Sequence, residues 1–161
     1  MMEIARLTVE EGERLRTIRL RALRDAPDAF GSTFGESAAR SLESWAKQLE
    51  EIATFVAVRD DLDVGLVRCF PDKRVRDTAW LISMWVAPQA RGTGVGEALI
   101  DSSIAWARSA GKSRLVLAVA DDNGPAKALY SRRGFEPNGE VGALPPPREH
   151  VREHQRVLKL S

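Results

Sequence analysis

The chain has 161 residues, enough for one domain with a substantial core, and its composition is 43% hydrophobic and 29% charged. Twenty-four basic residues against 23 acidic ones leave a formal net charge of +1, so no global field draws in nucleic acid or an anionic membrane. Cys69 is the only cysteine, which excludes an internal disulfide, and no apolar run approaches the roughly 20 residues that span a bilayer.

In chain order, residues 3–8 (EIARLT) alternate as a short strand does. The following segment carries Leu15, Ile18, Leu20, Ala22 and Leu23 as a helical stripe, with its arginines largely on the other face and Pro27 as its stop. FGSTFGES is a Gly/Ser-rich connection, and SLESWAKQLEE reads as a second helix capped by Ser41. ATFVAVR, DVGLVRCF and TAWLISMWVAP are closely spaced strands and suggest an antiparallel meander. Cys69 lies in the second of these and reads as a small buried hydrophobe.

The stretch ARGTGVGEA opens a helix over about 94–110. SRLVLAVA is a nearly continuous apolar run, as a central strand is. DDNGPAKALYSRRG gives a turn and a helix that Asp122 or Asn123 can cap. FEP and HQRVLKL are the last strands, separated by the Pro/Gly-rich PNGEVGALPPP. The expectation is one α+β domain over residues 1–161 with a mixed sheet. The strands on either side of the 94–110 helix should run parallel, as a crossover requires.

A strand, then glycines, then a helix places free N–H groups at the positive end of a helix dipole, which suits a phosphate. A Walker A loop needs Gly-Lys-Ser/Thr, but Glu97-Ala98 follows Gly96. A dinucleotide loop needs a different glycine spacing and an acidic residue about 20 positions on, which Asp121 does not match. The R-x-x-G-x-G pattern within WVAPQARGTGVGEALI resembles the acetyl-CoA signature of the GNAT N-acetyltransferases. NGPAKALYSRRGFEP further on is similar to that family's N-x-x-A-x-x-L-Y-x-x-x-G-F segment.

The resemblance implies a mostly antiparallel sheet of six to seven strands with about four helices, splayed at the cofactor site, and transfer of acetyl from acetyl-CoA to a primary amine. The amine belongs to a small molecule, or is a peptide N-terminus or lysine, and attacks directly in a ternary complex. A different acyl group or acceptor, or a CoA-binding sensor, are the alternatives. Residues implied for the cofactor are the main chain of Met84, Trp85 and Val86, the loop of Arg91, Gly92, Thr93, Gly94, Val95 and Gly96, and Asn123 and Ala126.

Tyr130 matches the tyrosine beside the cofactor sulfur and is the only tyrosine in the chain. TAWLISMWV offers no carboxylate to act as base, which leaves Glu36, Asp121, Glu149, His150 or a water chain. For the acceptor the resemblance points to two segments, DAPDAFGSTFGES and GEVGALPPPREH. There Phe30, Phe34, Trp45 and Leu144 are candidates for an apolar wall, and Asp28, Glu36 or Glu149 for drawing in an ammonium group. No metal, nucleic-acid or membrane site is expected, a cytoplasmic location is, and a homodimer is kept open.

Overall fold

A computed structural model of the chain describes residues 2–160. Seven strands form one sheet in the order β1-β2-β3-β4-β5-β7-β6. They are β1 (Met2–Arg6), β2 (Ala53–Arg59), β3 (Leu62–Pro71), β4 (Thr78–Val86), β5 (Arg114–Ala120), β6 (Glu136–Ala143) and β7 (Arg152–Lys159). Every neighbouring pair is antiparallel except β4–β5, which is joined by a helix and runs parallel, as the crossover predicts.

The helices are α1 (Gly12–Asp25), α2 (Phe34–Ala38), α3 (Leu42–Glu51), α4 (Val95–Ser109) and α5 (Gly124–Arg132). Helix α2 is the difference from the sequence expectation of four. It is only five residues long, too short to show a period, and it lies in the segment read as a connection. Its start rests on Thr33, whose hydroxyl accepts from the Glu36 N–H at 3.2 Å. Ser41 caps α3 as its sequence predicts, accepting from the Ser44 N–H at 3.1 Å.

Helices cover both faces of the sheet. On β3, a Cβ built on Gly65 would meet Leu99 and Val95 of α4 at 2.9 Å, so only glycine lets α4 lie this close. Three residues on, the alternation of the strand turns Arg68 to the other face, where it bonds Gln48 of α3. Cys69 is fully buried, and burial pushes its thiol up to about 12, so it is an inert packing residue as expected.

The sheet opens at its middle. β4 and β5 pair only from Thr78–Arg114 to Trp80–Val116. Beyond that point β5 keeps its pairing with β7, and β4 keeps its pairing with β3. The register between β3 and β4 shifts past Leu66, and Ser83 takes φ +58°, so β4 carries a bulge that turns it away from β5.

Candidate active site

A half-open cavity of about 880 Å³ lies in the wedge between β4 and β5. Its walls come from the end of α1 and the turn after it, from Met84, Trp85 and Val86 of β4, from the glycine loop, and from α5. Ala87 N–H donates to Val64 O at 2.8 Å, so by strand alternation the main chain of Trp85 also faces β3. The main-chain groups of Met84 and Val86 therefore face the opening. This corrects the expectation for Trp85, whose 5%-exposed indole points inward and donates to Asp25 Oδ2 at 3.0 Å.

The loop leading into α4 turns on two glycines. Gly92 has φ +75° and Gly94, the N-cap of α4, has φ +89°, both in the left-handed region that favours glycine. The first intrahelical bond is Ala98 N–H to Gly94 O, which leaves the amides before Ala98 without helical partners at the positive end of the dipole. Gly96 serves packing as well: a Cβ there would stand 2.8 Å from Leu129 Cδ2 on α5.

The other loop residues divide. Val95 is buried at 1% exposure under β3, and Thr93 donates to Ala90 O at 2.5 Å and accepts from Arg59 at 3.2 Å. Neither side chain lines the cavity. Arg91 does line it, but its guanidinium is engaged: NH2 pairs with Asp25 Oδ2 at 2.5 Å and Nε donates to Val86 O at 3.0 Å. Arg132, which the sequence did not single out, lines the same end and pairs with Glu97 at 3.0 Å.

Asn123 caps α5 and lines the cavity: Oδ1 accepts from Ala126 N–H at 3.2 Å, leaving the Nδ2 donor for a ligand. Ala126 also lines the cavity. Tyr130 lies one turn on from Ala126, 5% exposed, with its ring edge-on to Phe135 at 5.8 Å between centroids. Burial alone holds its phenol above the ordinary tyrosine range, with no charge or hydrogen bond acting on it. It therefore stays protonated well above neutral pH.

On the acceptor side, Phe30 and Asp28 line the cavity as expected. The other five candidates, Phe34, Glu36, Trp45, Leu144 and Glu149, do not. Phe34 starts α2 and lies instead in a shallower groove with Arg24, which stacks on its ring at 5.0 Å. Glu36 and Glu149 are exposed and lie outside the cavity, and Trp45 is buried in the core at 1% exposure. Leu144 packs beside the site, with Ala120 and Val151. Asp121 is paired with His154 at 2.7 Å, and His150 is exposed.

Sequence reasoning missed two further residues here. Arg148, between the prolines and Glu149, is buried and donates to the carbonyls of Pro27, of Phe30 at 2.6 Å and of Gly31 at 2.9 Å. It fixes the acceptor wall to the β6–β7 loop. Glu153 pairs with Ala120 across β5–β7, shares its face, and is held above the usual carboxylate range by burial. The run of polar residues REHQR gives no alternation to mark it, and only the pairing with β5 shows which face it takes.

The residues present fit a CoA: a glycine cradle with free amides, an opened strand edge, and two arginines at the outer end. The sequence profile of the Acetyltransferase (GNAT) family matches residues 17–135. Mycothiol acetyltransferase of Beutenbergia cavernae is 30% identical over 143 residues, covering 78% of this chain and 46% of that protein. Streptothricin acetyltransferase of Streptomyces lavendulae is 32% identical over 118 residues, 73% of this chain and 59% of that one.

An N-acetyltransferase of Methanocaldococcus jannaschii has 45% of its length matched, so the chain spans about half the length of the curated relatives it matches. Among solved structures, a GNAT-family acetyltransferase from Streptococcus pneumoniae superposes over 100% of both chains with TM-score 0.82 at 21% identity. The Salmonella typhimurium protein yncA, solved with its cofactor acetyl-CoA, has TM-score 0.81 at 18% identity, covering 100% of this chain and 95% of that one. Profile, relatives and fold agree with the opened strands and the glycine loop: the chain belongs to the GNAT acetyltransferase family.

Proposed function

We propose that this chain transfers an acetyl group from acetyl-CoA to a primary amine by direct attack in a ternary complex. The observation that carries the reading is the parting of β4 and β5 after Trp80–Val116, with the glycine start of α4 at one end of the gap and α5 along its side. Acetyl-CoA supplies an acyl group already activated as a thioester, and the chain supplies position, hydrogen bonds and proton handling.

The free amides at the start of α4 hold the pyrophosphate, with Arg132 adding charge nearby. The main chain of Met84 and the Val86 N–H pair with the pantetheine amides, as a strand edge pairs with an added peptide. The Val86 carbonyl is left out of that role because Arg91 already occupies it. Asn123 Nδ2 donates to the cofactor arm. Tyr130, kept neutral by burial, donates its proton to the departing sulfur.

Asp28 draws the ammonium group to the acceptor end of the cavity, and Glu153 takes the proton the amine must lose. Burial raises the Glu153 carboxyl toward working pH, the direction that favours a general base. The relatives are named for mycothiol and for streptothricin, so their names do not agree on an acceptor.

The test is release of free thiol from acetyl-CoA with an amine panel. Amine-dependent release is the expected result. Tight binding of acetyl-CoA with no turnover on any amine would instead favour a CoA sensor.

A further inference from the structure

A second groove, of about 530 Å³, lies between α1, the start of α2 and the loop after β4. Arg16, Leu20, Arg21 and Arg24 line it from α1, with Phe34 of α2 and Pro88 of the loop. These α1 positions fall at helical spacing on one face, and the row from Arg16 to Arg24 is about 12 Å long.

Two of the three cations are stacked. Arg24 lies over the Phe34 ring at 5.0 Å and Arg21 over the Trp85 ring at 5.3 Å. Arg21 also donates to Asp63 O at 2.7 Å, and Arg16 to Ala38 O at 3.5 Å. None of the three forms an ion pair among the described residues. Asp25 is the one carboxylate on the groove wall, and Trp85 and Arg91 already engage it.

Two features separate this row from an ordinary solvated helix face. Stacking holds the guanidiniums in place, so a ligand meets donors with less freedom left to lose. The row also lies in a groove beside apolar Leu20, Phe34 and Pro88, where displaced water strengthens a charge contact. The groove and the cavity share Asp25 and Trp85 as wall residues. Asp25 leads directly into the turn at Pro27–Ala29 and Phe30, which wall the acceptor end of the cavity.

We propose that this groove docks an acidic segment of a peptide acceptor whose free amine enters the neighbouring cavity. Carboxylates match the planar donor fork of arginine. An extended chain advances about 3.3 Å per residue, so about four residues cover the row. Thr17 and Gln89 add polar groups beside such a main chain. A nucleic acid fits less well: both rings already carry a guanidinium, and the net charge of +1 gives no wider field. The docked segment serves the acetyltransferase reading and rests on it, and a binding measurement keeps the two apart.

That measurement is fluorescence anisotropy at low salt without acetyl-CoA. The probes are C-terminally labelled peptides with a free N-terminal amine: Ala-Asp-Glu-Asp-Glu, Ala-Asn-Gln-Asn-Gln and Ala-Lys-Lys-Lys-Lys. Wild type is expected to bind the acidic peptide about tenfold or more tighter than the amide one, with the gap shrinking as salt rises. Arg16→Gln with Arg24→Gln should close the gap. Arg16→Glu with Arg24→Glu should turn the preference to the lysine peptide, which an unfolded variant would not do. No gap in wild type, or a gap that survives neutralisation, would overturn the proposal. So would an oligodeoxynucleotide of equal charge binding tighter than the acidic peptide.

Turnover is the second arm. With acetyl-CoA, kcat/KM for the acidic and amide peptides should follow the same order, through KM. Equal turnover of the two contradicts the proposal. Acidic peptides that bind but are not acetylated would keep the groove and count against the transfer reading. Acetyl-CoA affinity by calorimetry should be unchanged in Arg16→Gln with Arg24→Gln. A loss there that vanishes with the 3′-dephospho cofactor would assign the groove to CoA and contradict the proposal.

Discussion

Gly96 and Leu129 meet where α4 crosses α5: a Cβ on Gly96 would stand 2.8 Å from Leu129 Cδ2. Leu129 also lines the cavity. The end of a leucine can move, and here its free direction is the cavity itself. Gly96→Ala should therefore cost little stability, since alanine regains about 1 kcal/mol of helix propensity. It should weaken acetyl-CoA binding by about tenfold, because the displaced Leu129 would crowd the cavity. Adding Leu129→Ala should restore affinity. A melting curve and a calorimetric titration on the single and double variants check this, and additive losses would refute the coupling.

Tyr130→Phe removes only the hydroxyl and keeps the ring against Phe135. Turnover should fall by about 100-fold while acetyl-CoA affinity holds. Wild-type rates across the pH range would leave Tyr130 as a packing residue. Because burial raises its phenol, no loss of activity from tyrosine ionisation is expected up to pH 10.

Arg148→Ala should release the turn at Pro27–Ala29 from the β6–β7 loop. It removes a buried donor to three carbonyls, so a stability loss of about 2–4 kcal/mol is expected. KM for the acceptor should rise well before the Kd of acetyl-CoA does, because the wall it holds is the acceptor wall. Equal effects on both ligands, by steady-state kinetics and calorimetry, would mean that the loop also shapes the cofactor end.

Asp72 gives a pH signature away from the site. It accepts from Trp80 Nε1 and from the N–H groups of Arg74 and Val75, each at 2.8 Å, which closes the β3–β4 turn. These bonds hold its carboxyl down at about 2, against an ordinary 3.8. A depressed acid contributes stability above its unfolded value and loses it as pH falls toward the folded one. Asp72→Asn should lower the melting temperature near neutral pH, with the gap to wild type closing between about pH 4 and pH 2. A gap constant across that range would contradict the assignment.

Much of the cofactor half was legible because backbone chemistry writes itself in sequence. Gly92 and Gly94 sit at positive φ where the loop demands it, and Asn123 caps the helix its position suggests. The crossover rule paired β4 with β5 in parallel. The acceptor half was obscured for opposite reasons. Phe34, Glu36 and Glu149 have the right chemistry in the right segments, but a five-residue helix and an exposed loop carry them outside the cavity. Arg19 of α1 is 3% exposed, although the arginines of that helix read largely as the face away from the apolar stripe, since a pattern of apolar residues cannot mark a buried cation. Arg68 and Glu153 depend on strand register, which only the pairing of distant segments fixes.

The central claim is that the glycine start of α4 and the opened strands hold a CoA. Calorimetric titration of acetyl-CoA into wild type and Gly94→Glu tests it most directly. Gly94 sits at φ +89° with open space around its Cβ, so the substitution strains the cap and puts a carboxylate where a pyrophosphate belongs. The expected result is one-to-one binding by wild type and none by a folded Gly94→Glu protein. Equal affinity in the two proteins, or no binding by wild type, would contradict the account.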